Sequence, residues 1–417
     1  ETKLLHSGYT PDATMSRGVP IYRTSSYVFR DAQHAANLFG LKELGNIYTR
    51  LMNPTQDVLE KRVADMEEAP AALALASGTS AIYYSIINIC SAGDEVVSSK
   101  YLYGGTYTMF DTILPQFNIK VNFVDPLDPE NIRKAITKKT RAVYVETIGN
   151  PTLDVVDIKA IAKIAHENEL PLIVDSTFTT PYLMNPIKYG ADIVCHSLTK
   201  WLGGHGTGIG GIVVDSCKFD WKNPKFKLFN EPDPGYHGIR YAHDLGDLNP
   251  LAFILRMRLV PLRNLGACIS PDNAWMFLQG IETLHLRMQR HSDNAFKVAE
   301  YLKKSNKVEW VRYPGLKDDP SYKNASKQFQ NGFGGMVIFG IKGGKEAGQN
   351  FINKLKLHSH LANVGDAKSL AIHPASTTHS QLSEEQLKDC GITPNLVRLS
   401  VGIENIDDII EDIAQAL

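Results

Sequence analysis

Three short segments carry the residue types that could do chemistry. In HSLTKWLGGHGTGIGG, residues 196–211, Lys200 stands just past an apolar run, preceded by Ser197 and Thr199 and followed by Gly203, Gly204, Gly206, Gly208, Gly210 and Gly211. A primary amine is a nucleophile toward an aldehyde and, once its pKa is lowered, a base. Glycines around it let backbone turn sharply and come close to a ligand. Alone, the segment equally describes a flexible loop with an exposed lysine. A Walker loop needs its lysine after the glycines, and a dinucleotide fold needs its glycine turn after the first strand with an acidic residue about 20 positions on. Neither spacing occurs here. The second segment is LIVDS, 172–176, which ends in Asp175 and Ser176; a strand-end aspartate alone is more often a helix cap. The third is ASGTSAIYYSIINI, 76–89, in which Gly78 and Thr79 follow an apolar run and open a helix. Free N–H groups and the positive dipole end at such a place attract phosphate, although ordinary N-capping has the same pattern. Tyr103, in KYLYGGT, adds a ring that could stack on a planar ligand.

Taken together, these residues suggest one ligand. Open parallel sheets bind beyond the carboxyl ends of their strands, so Asp175 and Lys200 could face one crevice. An aspartate against a pyridine nitrogen and a lysine that forms a Schiff base with an aldehyde make a pyridoxal-phosphate site. Gly78 and Thr79 on one loop, with Ser197 and Thr199 on another, would hold a single phosphate.

The elements that must position these groups are legible as pattern. From about 71 to 215 short apolar runs recur, EVVSS (95–99), VNFV (121–124), AVYVE (142–146), LIVDS, ADIVCHS (191–197) and GIVVD (211–215), with helix-like stretches between them. Near-continuous apolar strands alternating with amphipathic helices predict an α/β fold, mainly a parallel sheet covered on both faces. Asp128-Pro129 and Asp157 supply helix starts. Residues 1–60 lack sustained periodicity and suggest an arm lying on a neighbouring subunit. A large domain is expected over 61–265, with a Pro- and Gly-rich surface insertion after about 220. A linking helix over 277–304 and a smaller α+β domain complete 266–417.

Composition bounds the function. The 417 residues carry 44 Lys+Arg against 45 Asp+Glu, a net charge of -1, which gives no electrostatic case for nucleic acid or an anionic membrane. A 43% hydrophobic fraction with 21% charged residues suits a large soluble core. No apolar run approaches the roughly 20 residues of a membrane helix. Cys90, Cys195, Cys217, Cys268 and Cys390 form no C-x-x-C pair and read as reduced thiols, so a cytoplasmic location is expected. His358, His360, His373 and His379 lack metal-ligand spacing and read as loop and strand residues, so no metal is expected. His205 and His243 are expected at the mouth of the site.

The segments SGTSA, YGGT, ETIGNPT, DSTFTTP, HSLTKWLGGHGTGIGG and VRLSVGIE, in this order, closely resemble the cystathionine-metabolism family of pyridoxal-phosphate enzymes, transferase fold type I, over nearly the whole chain. TKLLHSGY, GNIYTRLMNPT, HGTGIGG and EPDPGYHG resemble its sulfhydrylase branch, which exchanges the acetate of O-acetylhomoserine for a sulfur nucleophile. The resemblance implies that Lys200 binds the cofactor and shuttles protons, that Asp175 pairs with the ring nitrogen, and that Tyr103 stacks on the ring and serves as acid or base. It implies phosphate contacts from Gly78, Thr79, Ser197 and Thr199, with Thr177 beside Asp175. Tyr48 and Arg50 would reach the phosphate, and Tyr48 the substrate, from the neighbouring subunit. Asn150 would orient cofactor and substrate with Glu146 nearby, and Arg398, helped by Ser369, would clamp the substrate carboxylate. Many relatives carry Asn where Ser176 stands. A tetramer built from dimers with shared active sites is implied. Rival expectations are cystathionine γ-synthase or methionine γ-lyase activity, and a scaffold without catalysis.

Overall fold

Apolar runs without polar alternation can be buried on both faces, and here they become β1 (Ala71–Leu75), β2 (Glu95–Ser99), β3 (Lys120–Val124), β4 (Thr140–Glu146), β5 (Leu172–Asp175), β6 (Ile193–Ser197) and β7 (Gly211–Asp215). The computed structural model describes residues 1–377, 385, 387 and 391–417, so His379 and Cys390 lie outside the described residues. The strand order is β1-β7-β6-β5-β4-β2-β3. Strands β2 to β6 pair in parallel, whereas β7 is antiparallel to both β1 and β6. The reversal of β7 returns β1 to the direction of β6, so β1 to β6 end on one common edge. That edge is where the site forms.

Each face of the sheet is covered. Val143, Val145, Val174 and Val194 are buried with Val58, Leu59 and Val63 of the Pro54–Met66 helix and Ile161 and Ala165 of the Ile158–Glu167 helix. Tyr144, Ile173, Ile193 and Val213 pack on the other side with Ile82 and Ile86 of the Gly78–Ile87 helix. Helix starts follow local chemistry: Asp128 accepts from the Glu130 N–H with Pro129 behind it, and Asp157 accepts from the Ala160 N–H.

Two expectations are corrected. The segment after 220 is not simply a surface insertion, because its aromatics drive it into the core: Trp221 stacks on Phe229 at 4.5 Å and on Phe253 at 5.2 Å. The helix expected over 277–304 is two, Pro271–Glu282 and Leu284–Lys304, separated at Thr283.

A second sheet follows, ordered β10-β11-β12-β9-β8, with β8 (Val308–Arg312), β9 (Met336–Ile341), β10 (Ser359–His360), β11 (Leu370–Ile372) and β12 (Leu396–Ser400). The Leu284–Lys304 and Ile406–Ala416 helices bury Val298, Leu302, Ile409 and Ile413 with Val337, Phe339, Val397 and Leu399 of this sheet. Before Pro54 the chain is mostly without regular structure, with helices Thr2–His6 and Ala32–Phe39, and it leaves Met15, Val28 and Leu44 exposed, Val28 at 97%.

Candidate active site

Loops leaving the carboxyl ends of β1, β2, β4, β5 and β6 meet around a cavity of about 870 Å³, closed on one side by residues 362–364 and by Arg398 of β12. Ten of the expected residues line it: Gly78, Thr79, Tyr103, Asn150, Asp175, Thr177, Ser197, Thr199, Lys200 and Arg398. All but Arg398 come from segments far apart in sequence that the first sheet brings to one edge, and Arg398 reaches them from the second sheet.

Lys200 follows β6 in a tight turn, 198–202, where its φ of -91° and ψ of -134° break the helical run. The turn aims its amine into the cavity, and Nζ donates to Asn363 Oδ1. Burial, reinforced by the Arg398 cation, pulls the Lys200 pKa down to about 8. A lysine so placed is a usable base near neutral pH.

Asp175 ends β5, where Oδ1 accepts from the Thr177 N–H at 2.9 Å. Burial raises its pKa, and hydrogen bonds from Thr177 oppose that rise. Thr177 Oγ1 also accepts from the Ser197 N–H at 2.9 Å, tying the ends of β5 and β6 together. Ser176 turns away, its hydroxyl 2.7 Å from Thr179 Oγ1. Glu146 lies opposite Asp175 in the β4–β5 register, and its Oε1 accepts from the Tyr103 N–H at 2.7 Å. Burial and then the neighbouring Asp175 charge push the Glu146 carboxyl well above the usual range.

The phosphate-sized corner is built by close approach. Ser77 caps the Gly78–Ile87 helix by accepting from the Ser80 N–H at 3.0 Å, which leaves the Gly78 and Thr79 N–H groups without intrahelical acceptors. A Cβ on Gly78 would lie 2.7 Å from the Ser197 Cβ, so only glycine lets the helix start rest against the end of β6. Thr199 Oγ1 accepts from the Gly210 N–H at 3.1 Å and braces the glycine loop.

Arg398 is 5% exposed, and burial brings its pKa down to about 10, so it stays charged. Its Nη1 donates to Asn150 Oδ1 at 2.8 Å, joining the two domains at the cavity.

Other expected residues lie elsewhere. Tyr48 and Arg50 are on the arm and do not line this chain's cavity; the Arg50 guanidinium sits 5.2 Å from the Tyr48 ring centroid, with Tyr48 41% exposed. Ser369 is fully buried and turned away from the cavity, its Oγ donating to Glu404 Oε2 at 3.0 Å and accepting from the Gly402 N–H at 2.8 Å. Local capping of the strand end uses the hydroxyl that was expected at the substrate. His205 and His243 do not line the cavity either: their ring nitrogens meet the Gly203 carbonyl and Asn230 Oδ1, both at 2.7 Å. His358 pairs with Asp412, and His373 bridges Ser376 and the Pro394 carbonyl. Asn363, which holds the lysine amine, was not anticipated, because a polar residue in LANVGDA carries no motif.

The donor set fits pyridoxal 5'-phosphate. It offers a helix start and hydroxyls for a phosphate, a carboxylate for a ring nitrogen, an aromatic face from Tyr103 and an amine for an aldehyde, all on one cavity. The chain belongs to the Cys/Met metabolism family of PLP-dependent enzymes, which matches residues 1–417. Within that family it is similar to an O-acetyl-L-homoserine sulfhydrylase of Leptospira meyeri, 58% identical over 424 residues that cover 100% of this chain and 96% of the relative. A homocysteine synthase of Schizosaccharomyces pombe is 52% identical over 100% of this chain and 97% of its own. A solved Campylobacter jejuni protein described as an O-acetylhomoserine (thiol)-lyase superposes with a TM-score of 0.96 at 42% identity, covering 100% of this chain and 98% of that one; it holds N'-pyridoxyl-lysine-5'-monophosphate.

Proposed function

We propose that the chain is a PLP-dependent O-acetylhomoserine sulfhydrylase, replacing the acetate of O-acetyl-L-homoserine with a sulfur nucleophile to give homocysteine, or methionine from methanethiol, in methionine biosynthesis. The observation that carries this reading is the convergence of Lys200, Asp175 and Arg398 on one cavity. The names of the full-length relatives support the particular reaction.

When bound, the cofactor supplies an electron sink that acidifies the carbon bearing the substrate amine. Arg398 binds the substrate α-carboxylate with its planar fork, and Asn150 fixes the orientation of that fork. Lys200 would take the Cα proton, release it to the carbon that joins cofactor and substrate nitrogen and, neutral again, take a Cβ proton, which would let acetate leave Cγ as the anion. Hydrosulfide or a thiolate would add at Cγ, taking the place of the acetate anion, and Lys200 would return protons to Cβ and Cα. Asn363 gives the free amine a resting partner between these transfers. Asp175 holds the ring nitrogen of the cofactor in its cationic form, with the Thr177 N–H fixing the carboxylate. Tyr103, which lines the cavity, would offer its ring to the cofactor. Gly78, Thr79, Ser197 and Thr199 would hold its phosphate.

We infer further that two copies share each pair of sites and that dimers pair into a tetramer. In this reading the 1–60 arm crosses to the neighbour, where Tyr48 and Arg50 meet its phosphate. The exposed Met15, Val28 and Leu44 on the arm support this, since a second copy would cover them. The 61–265 and 266–417 segments serve as cofactor domain and closing domain. A cytoplasmic location is supported by the free thiols of Cys90, Cys195, Cys217 and Cys268.

The test is a substrate panel with purified protein and pyridoxal phosphate. O-acetylhomoserine with sulfide should yield homocysteine, faster than O-succinylhomoserine does. Cystathionine from added cysteine, or α-ketobutyrate from L-methionine alone, as the dominant product would assign the synthase or lyase reaction instead. Lack of the visible absorbance of lysine-bound cofactor would leave a scaffold without catalysis.

A further inference from the structure

Arg287, in the first turn of the Leu284–Lys304 helix, is 4% exposed. Among the described residues it meets neutral acceptors only. Its Nη1 donates to the Trp201 carbonyl at 2.7 Å, its Nη2 to the carbonyls of Gly280 at 2.6 Å and Leu202 at 3.3 Å, and its Nε to Thr283 Oγ1 at 3.3 Å. Burial alone brings it down to about 10, so it remains a cation at neutral pH. A buried cation without an acid is costly unless its donors are satisfied. Here two of the four bonds go to Gly280 and Thr283, and the other two to the carbonyls of the residues that directly follow Lys200.

Those two carbonyls need a partner. The Lys200 backbone departs from the helical conformation inside the 198–202 turn, and the chain then reverses through Gly204 at φ +73°. A Cβ on Gly204 would lie 2.1 Å from Arg287 Nη1, so the glycine is required by the guanidinium as well as by its φ. The Gly204 N–H donates to the Lys200 carbonyl at 2.7 Å, and its own carbonyl accepts from the Ala367 N–H at 2.8 Å. The turn that carries the lysine is therefore gripped by a rigid planar fork on one side and by the small domain on the other. A lysine at 287 could not reproduce the fork, because its donors radiate from one point.

We propose that Arg287 is a positioning residue for Lys200: by holding the Trp201 and Leu202 carbonyls it fixes the backbone from which the lysine reaches into the cavity. The proposal rests on Lys200 being the residue that binds the cofactor. Arg287→Lys is compared with wild type in the full-length protein by the rate at which added pyridoxal 5'-phosphate is captured, followed by visible absorbance. Hydrogen exchange at the amides of residues 203 and 204, melting temperature, kcat and KM are measured alongside. Capture and kcat should each fall about tenfold or more, since small misplacements of a reacting group are expensive, with KM for O-acetylhomoserine within about twofold of wild type and faster exchange at the two amides. Capture and kcat at wild-type levels, with only the melting temperature lowered, would mean that Arg287 merely joins helices and would overturn the proposal. Should Arg287→Lys fail to fold, Arg287→Gln, which keeps a planar donor but not the fork, must give the same pattern. Absence of homocysteine from wild type would count against the proposed reaction, while the capture rate would still decide the role of Arg287. Capture by Lys200→Ala at the wild-type rate would overturn both.

Discussion

Arg398→Met separates carboxylate recognition from the rest of the site. Methionine fills much of the arginine stem but cannot bond the substrate α-carboxylate. Two charge-assisted hydrogen bonds are lost; at about 1.5 kcal/mol each or more, that is about 3 kcal/mol, or roughly a hundredfold in KM at about 1.4 kcal/mol per factor of ten. The same change removes the cation that helps burial to lower Lys200, so the acid limb of kcat should move to higher pH. Arg398→Lys keeps the charge and loses the fork, and its KM should rise about tenfold with the limb nearly in place. Initial rates of homocysteine formation across O-acetylhomoserine concentration and pH give both quantities. A KM for Arg398→Met within about threefold of wild type would refute the assignment of Arg398 to the carboxylate.

Further outcomes follow from the same geometry. Lys200 at about 8 is protonated below that pH and neutral above it, so kcat should fall as pH drops through about 8, and a flat profile from pH 6 to 9 would contradict the lysine base. Asp175→Asn should lower kcat by about a hundredfold or more while leaving the melting temperature near wild type, because it removes the charge at the ring nitrogen but keeps an acceptor for the Thr177 N–H. Gly78→Ala drives a Cβ to 2.7 Å from the Ser197 Cβ; at about 1–3 kcal/mol for overpacking, pyridoxal-phosphate affinity should drop about tenfold, which equilibrium dialysis would measure.

The sequence made the sheet legible where physics is local. The strands at 95–99, 142–146 and 193–197 carry consecutive apolar residues, Val96-Val97, Ala142 to Val145 and Ile193 to Cys195, because both faces of each strand are covered, and that pattern survives without any knowledge of neighbours. Direction is not local: nothing in GIVVD says that β7 runs antiparallel to β1 and β6. The two-residue β10 is too short to leave a period. The break at Thr283 escaped because the Gly280 carbonyl is claimed by the Arg287 side chain, a contact between residues that sit in an otherwise continuous amphipathic pattern. Within the site, Lys200, Asp175 and Gly78 stand at ends of readable strands and could be found there. Asn363 and Arg287 come from the later part of the chain, Arg287 from the Leu284–Lys304 helix, and only the folded chain brings them to the lysine turn. Ser369 shows the converse, a hydroxyl of suitable type spent on Glu404 and Gly402.

The central claim is that Lys200 does the chemistry in this cavity. Wild type and Lys200→Ala, each given pyridoxal phosphate, O-acetylhomoserine and sulfide, are compared for steady-state homocysteine production, with circular dichroism as the check on folding. The account predicts turnover by wild type and none by a folded Lys200→Ala protein. Appreciable steady-state homocysteine from the folded mutant would contradict it.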